Sequence, residues 1–132
     1  MANDGGVALS KIRQIAIPVN DEAEATRFYR DRLGMRHLFD APPALSFVDC
    51  GGVQLMLCGP AAQGEDAEKQ RPVIFYDVDD INDVHSKLRS AGVEIIQDPH
   101  VIARMSGRDI WIAFVADGQG NTVGLMSDVA AA

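Results

Sequence analysis

The chain of 132 residues is 47% hydrophobic and 23% charged, which fits one folded domain and excludes a disordered or coiled-coil protein. Its formal net charge of −7 repels phosphates and anionic lipids, and no basic cluster offsets it, so we expect neither a nucleic acid nor a membrane as a partner. No apolar run reaches the length of a transmembrane helix and no signal peptide opens the chain, so we expect a cytoplasmic protein.

The first half begins with a pattern typical of a strand followed by a helix. Alternating apolar residues predict a strand over 12–19. The helix begins after Asp21, which has capping-box spacing to Glu24, and it ends at Gly34. A second strand is predicted over 35–40.

The segment FVDCGGVQLMLC predicts a hairpin with Gly51-Gly52 as its two-residue turn. In that register, Cys50 and Cys58 lie too far apart to form a disulfide. We therefore expect two free thiols that pack as small hydrophobic side chains, because no neighbouring base in the sequence activates either one.

The second half repeats this order of elements. We predict a strand over 73–78, a helix over 81–91, a strand over 93–98, a polar loop over 98–109, and strands over 110–116 and 121–126. The segment 19–21 matches 78–80, and 53–56 matches 123–126. The sequence thus predicts an α+β protein with tandem βαβββ modules. The expected boundaries are a single domain over 1–132, module one over 11–58, an exposed linker over 59–71 and module two over 72–127.

Two segments carry a resemblance to a known family: IAIPVNDEAEATRFYRDRLGM in the first half, and FVADGQGNTVGLM near the end, where the family often has a DPDGN-like turn. With these segments the chain resembles the vicinal oxygen chelate superfamily over 11–127. That superfamily includes glyoxalase I, the bleomycin and fosfomycin resistance proteins and the extradiol dioxygenases. The resemblance implies a curled mixed sheet with an open cup, the glyoxalase/bleomycin resistance-like fold. It leaves the reaction open, because one fold hosts many functions.

For the enzymes of this superfamily, the resemblance implies a divalent metal at the floor of the cup. The ligands, usually His and Glu, correspond here to Gln14, Gln54, Val73 and Gly124. Two neutral amides and two residues without a side-chain donor are a poor ligand set for a catalytic divalent ion. We therefore predict no metal and no other cofactor.

Alternation along the strands predicts which residues face the cup. Apolar residues such as Ile15 and Ile17 pack under a helix, so their neighbours in the strand face the other way. The candidates for ligand binding on this face are Gln14, Gln54, Met56, Phe75 and Met126. The amides would orient a ligand and the apolar side chains would supply contact area. Alternatively, each glutamine is a satisfied, half-buried amide.

Trp111 is the only tryptophan. It alternates with Ala113 and Val115, which leaves space around a large ring, so we assign Trp111 to the cup as a further ligand contact. In the alternative interpretation, Trp111 is a core residue.

The predicted polar loop over 98–109 contains His100 and Arg104 at the rim of the cup. His100 is a candidate catalytic base, and Arg104 is a candidate group for binding an anion. In the alternative interpretation, the loop is solvated and its charges face water.

These observations favour a metal-independent protein of the glyoxalase and bleomycin resistance type that binds a small, largely apolar organic ligand in its cup. A second hypothesis is an enzyme: a lyase, isomerase or dioxygenase acting on a small carbonyl or aromatic compound, with His100 as base or with a displaced metal site. A third is a protein that acts through an interaction surface. Open sheet edges and an apolar cup favour association with a second copy, so we also predict a homodimer.

Overall fold

Two βαβββ modules follow one another within residues 8, 10–63 and 71–131, which a computed structural model describes. Module one contains β1 (Gln14–Pro18), α1 (Glu22–Arg27), β2 (Arg36–Ala41), β3 (Leu45–Cys50) and β4 (Val53–Cys58). Module two contains β5 (Ile74–Asp77), α2 (Ile81–Ser90), β6 (Ile95–Met105), β7 (Arg108–Ala116) and β8 (Thr122–Ala130). A short 3-10 helix, Pro60–Ala62, follows module one.

Each module forms a four-stranded mixed sheet, with strand orders β1-β4-β3-β2 and β5-β8-β7-β6. In both sheets the first strand of the module runs parallel to the last strand, and the other neighbours are antiparallel. The parallel pair brings Gln14 opposite Gln54 in module one and Phe75 opposite Gly124 in module two. The predicted α+β fold with repeated modules is confirmed.

The helix of each module covers one face of its sheet. The buried core of module one comprises Ile17, Val19, Ala25, Tyr29, Met35, Val48, Leu55 and Leu57. The buried core of module two comprises Ile81, Leu88, Val93, Ala113, Val115, Val123 and Leu125. Because side chains alternate along a strand, the residues between these core positions lie on the opposite face. We call this opposite face of each sheet the cup face.

Each helix begins directly after an aspartate that caps it, and the first of these is the predicted Asp21. The Asp21 side chain accepts a hydrogen bond from the backbone N–H of Glu24 at 2.9 Å, and Asp80 does the same for α2. Beyond Arg27, α1 continues as a π-helical turn, Phe28–Arg32, instead of the regular helix that the sequence predicts. Phe28, in this turn, packs against the cores of both modules. None of the described helices is long and apolar enough to cross a membrane.

The predicted hairpin between β3 and β4 is confirmed. Cys50 pairs with Val53 around Gly51-Gly52, and both glycines have a positive φ, which this kind of turn requires. Both described cysteines are free thiols. Burial raises the pKa of the Cys58 thiol, which opposes its use as a nucleophile.

A buried carboxyl group lies where module one meets the turn before β8. Asp117 accepts hydrogen bonds from the Tyr29 hydroxyl at 2.9 Å and from the backbone N–H groups of Gln119 and Asn121 at 2.7 and 3.0 Å. The Asn121 side-chain amide donates a further bond to Asp117 at 2.7 Å. Burial raises the pKa of Tyr29 far above its usual value, and the neighbouring Asp117 carboxyl raises it further.

Further hydrogen bonds from this turn reach the backbone between β1 and α1. The Gln119 side-chain oxygen accepts from the N–H groups of Asn20 and Asp21 at 3.0 and 2.8 Å. The Asn121 amide donates to the carbonyl oxygen of Pro18 at 2.8 Å. The turn of module two therefore supplies partners for backbone groups of module one that the strands and helices leave unpaired.

The segment predicted as an exposed linker over 59–71 is anchored at both of its described ends, and its middle lies outside the described residues. The Gln63 side chain donates to the carbonyl oxygen of Val19 at 2.6 Å. The Arg71 guanidinium donates to the carbonyl oxygen of Gln119 at 2.8 Å. These ends are therefore part of the packed structure, because their long polar side chains bind buried backbone carbonyls.

The polar loop predicted over 98–109 is wrong. β6 and β7 form a long hairpin that turns at Ser106-Gly107, where both residues have a positive φ. β6 is an edge strand with several register shifts against β7. An edge strand tolerates Pro99 and polar side chains because one side of its backbone needs no strand partner, so a loop-like composition can still form a strand.

Candidate functional site

The predicted cup residues of both modules lie on the cup faces. These residues are Gln14, Gln54, Met56, Phe75 and Met126. The cup face of module one carries a pair of amides on adjacent strands. The Gln54 amide donates to the side-chain oxygen of Gln14 at 2.6 Å, and the Gln14 amide contacts the Met56 sulfur at 3.6 Å. The Gln54 side-chain oxygen accepts no hydrogen bond among the described residues and is therefore available to a ligand donor.

Each cup face also carries a pair of phenylalanines, three of which the sequence analysis missed. In module one, Phe39 stacks on Phe47 with ring centroids 4.4 Å apart. In module two, Phe75 meets Phe114 in an edge-to-face contact at 5.6 Å. Phe39 and Phe75 are 49% and 47% exposed, so each pair presents one ring to solvent. Half-exposed rings that rest on a second ring provide a firm apolar contact surface.

Phe75 lies directly over Gly124. A Cβ atom added to Gly124 would be 2.6 Å from the Phe75 ring, which is closer than two carbon atoms approach. The glycine therefore provides the space that the ring occupies.

The strand register corrects one of the positions that the family resemblance assigned. In the parallel pairs, the residue of module two that corresponds to Gln14 is Phe75, since Gln14 faces Gln54 and Phe75 faces Gly124. Val73, which the resemblance implied for this position, lies before the first residue of β5, and β5 reaches its helix in fewer residues than β1 does. Position across the sheet depends on pairing between strands and not on spacing along one strand.

The cup floor does not fit a divalent metal. The two amides bind each other, and the corresponding place in module two holds a phenyl ring on a glycine. Among residues 8, 10–63 and 71–131, no three His, Cys, Asp or Glu side chains lie close enough together to hold a metal ion. Divalent metals in catalytic sites need imidazole, thiolate or carboxylate donors, which this floor lacks.

The predicted orientation of Trp111 is wrong. Trp111 packs against the core under α2, on the same face of β7 as Ala113 and Val115. The bulky Phe114 instead lies on the cup face, opposite Gly124. The small residues Ala113 and Val115 lie on the face under the helix and do not line an empty pocket. They are small because a closely packed helix leaves little room above the sheet.

His100 and Arg104 do not form a common site. His100 lies opposite Ile112 and Arg104 lies opposite Asp109, and these two positions of β7 point to different faces of the sheet. Arg104 is bound to the Asp109 carboxylate at 3.0 Å. His100 is on the cup face, where its Nδ1 lies 2.9 Å from the carbonyl oxygen of Asp98. A carbonyl can only accept, so Nδ1 is the donor, and in the neutral imidazole Nε2 is then an acceptor.

Two βαβββ modules, each with a parallel first and last strand and a cup face free of its helix, define the class of two-module cup proteins. Residues 11–125 match the Glyoxalase/Bleomycin resistance protein/Dioxygenase superfamily, and the chain belongs to this family.

Individual relatives share the fold at low sequence identity. YetH, an uncharacterised protein of Bacillus subtilis (strain 168), is 24% identical over 97 residues, which cover 70% of this chain and 81% of YetH. Lactoylglutathione lyase from Agrobacterium tumefaciens has a TM-score of 0.70 and 20% identity, covering 91% of this chain and 95% of its own. TnmS3, an antibiotic binding protein from Streptomyces sp. CB03234, has a TM-score of 0.69 and 22% identity, covering 92% and 98% of the two chains. These similarities establish the fold.

Proposed function

We propose that this protein binds a small, largely apolar organic ligand on its cup face without a catalytic metal. The observation that carries the proposal is the composition of that face: an amide pair in module one, and on each sheet a phenylalanine pair with one half-exposed ring. Apolar surfaces with a few polar groups are typical of small-molecule sites. TnmS3, which has the same fold, is described as an antibiotic binding protein, and this supports a small-molecule ligand here.

We expect a thermal-shift screen of small apolar organic compounds to yield ligands that raise the Tm. Gln54→Ala should change the order of affinities among these ligands by about 1 kcal/mol, because it removes a hydrogen-bonding group and little contact area. Asn82→Ala is the matched control, since Asn82 is an exposed amide on α2. It should leave both the affinities and the Tm unchanged.

Two results would contradict the proposal. A broad screen without a single stabilising compound would favour a protein that acts through an interaction surface. Stoichiometric zinc, nickel, iron or manganese in the purified protein, lost in Gln54→Ala, would show that the cup holds a metal after all.

An enzymatic function is the second candidate, and it rests on His100. In the neutral imidazole, the hydrogen bond from Nδ1 to the Asp98 carbonyl leaves Nε2 as an acceptor, which a general base requires. His100 also shares the cup face with Ile112 and the phenylalanine pair of module two. A lyase or isomerase acting on a small carbonyl compound would lose its turnover in His100→Gln, whereas a binding protein would keep its ligands.

The homodimer is also part of the proposal, because one copy leaves large apolar side chains exposed. These include Phe39, Phe75, Ile96, Ile102 and Met105. Burying these side chains against a second copy would remove apolar surface from water, and the second copy would also shield the ligand. We expect light scattering at micromolar concentration to give twice the chain mass of 14.2 kDa. A mass of one chain would contradict the dimer without affecting ligand binding.

A further inference from the structure

We infer that Phe75, together with Asp77, selects planar aromatic cations as the ligands of the cup. The inference rests on the proposed function and names its ligand class. At the floor of module two, Phe75 on β5 lies opposite Gly124 on the parallel strand β8. In module one the corresponding pair is Gln14 and Gln54, so the two floors have the same backbone position and different chemistry.

The Phe75 ring is held in place from two sides. Its underside rests on Gly124, where any side chain would collide with it. Phe114 meets it in an edge-to-face contact with an interplanar angle of 67°. The ring is nevertheless 47% exposed, so part of its surface remains open to a ligand. A fixed and open phenyl ring favours a flat aromatic partner, because stacking needs a partner of the same shape.

Charge on the same strand sets the preferred sign of the ligand. Asp77 follows two positions after Phe75, and residues two apart on a strand share a face, about 7 Å from each other. The Asp77 carboxylate is exposed and has no ion-pair partner among the described residues. It would attract a positive charge on a ring stacked on Phe75, and the phenyl face would add a cation–π contribution. The net charge of −7 favours the same sign at longer range.

Three probes separate the effect of a flat aromatic ring from the effect of a positive charge. N-methylacridinium is a planar aromatic cation, acridine is its uncharged counterpart at alkaline pH, and tetraethylammonium is a cation without a ring. We expect calorimetric titration of the whole protein to rank them in that order, with the first bound about three to ten times more tightly than the second. Phe75→Leu should weaken N-methylacridinium about tenfold while keeping an apolar cover on Gly124.

Two further variants test the partners of the ring. Asp77→Asn should reduce the preference for N-methylacridinium over acridine, because only the cation–π contribution and the net charge would then favour the cation. Gly124→Ala should displace the Phe75 ring and weaken the binding of both aromatic probes. If Gly124→Ala does not fold, Phe75→Leu still tests the role of the ring. The control is Val129→Ala, an exposed apolar residue of the same sheet on the other face, which should bind all probes like the wild type.

The outcomes distinguish this inference from the proposed function. The inference would be overturned if wild type and Phe75→Leu bound N-methylacridinium with equal affinity. It would also be overturned if the wild type bound acridine more tightly than N-methylacridinium. If the inference fails in this way but the wild type still binds apolar compounds from the screen, the proposed function stands. If it binds neither the aromatic probes nor any compound of the screen, both fail.

Discussion

Asp117→Ala is expected to lower the free energy of unfolding by about 4 kcal/mol. Asp117 is 2% exposed and accepts hydrogen bonds from two backbone N–H groups, the Asn121 amide and the Tyr29 hydroxyl. The alanine would leave these donors buried without an acceptor, and each such group costs about 1 to 3 kcal/mol. The turn would also lose the geometry that lets Gln119 bind the start of α1. Urea unfolding measures the difference directly.

Two control variants bracket this effect. Tyr29→Phe removes one donor and leaves the others paired, so it should cost about 1 kcal/mol. Asp128→Ala removes an exposed carboxylate that binds Arg108, and a surface pair of this kind contributes less than about 1 kcal/mol. If Asp117→Ala were no more destabilising than Asp128→Ala, the network between the modules would not be the stabilising contact that its geometry indicates.

Trp111→Ala is expected to cost about 3 kcal/mol of stability and to leave ligand affinity unchanged. The indole packs on the core under α2, so its removal opens a cavity on the side of the sheet away from the cup. For the same reason, a ligand that raises the Tm should leave the fluorescence of this single tryptophan unchanged. Unfolding in urea and a fluorescence titration on the same protein give both quantities.

Phe114→Ala is the matched comparison, because Phe114 belongs to the same strand and lies on the opposite face. It should weaken ligand binding, since Phe75 loses its neighbouring ring. If Trp111→Ala kept its stability and lost ligand affinity, Trp111 would belong to the cup face, and its placement in the core would be contradicted.

Much of the fold was predictable from the sequence because its signals are local. Asp21 and Asp80 cap helices through bonds to residues three positions later, and these bonds form within one turn of chain. Gly51-Gly52 marks a hairpin because the two-residue turn needs positive φ angles. The matched segments of the two halves then predict the repeated module, and the sheets follow the same order of strands in both.

The candidate site was predictable only in part. Alternation placed Gln14 and Gln54 on one face, since both lie in short regular strands next to an obvious core. It failed for Trp111, because a strand of apolar residues on both faces does not indicate which face the helix covers. The family resemblance also implied Val73 for the position that corresponds to Gln14, where strand pairing places Phe75.

Pairing between strands distant in the sequence decided the remaining features of the candidate site. Phe75 faces Gly124 because β5 is registered against β8, a strand that lies far away in the sequence. His100 and Arg104 lie on opposite faces because β6 shifts its register at bulges along β7. The sequence by itself determined most of the elements, through contacts between residues close in the chain, but it did not predict the hairpin of β6 and β7. The composition of the cup face was determined by register between distant strands, where a shift of one residue moves a side chain to the other side of the sheet.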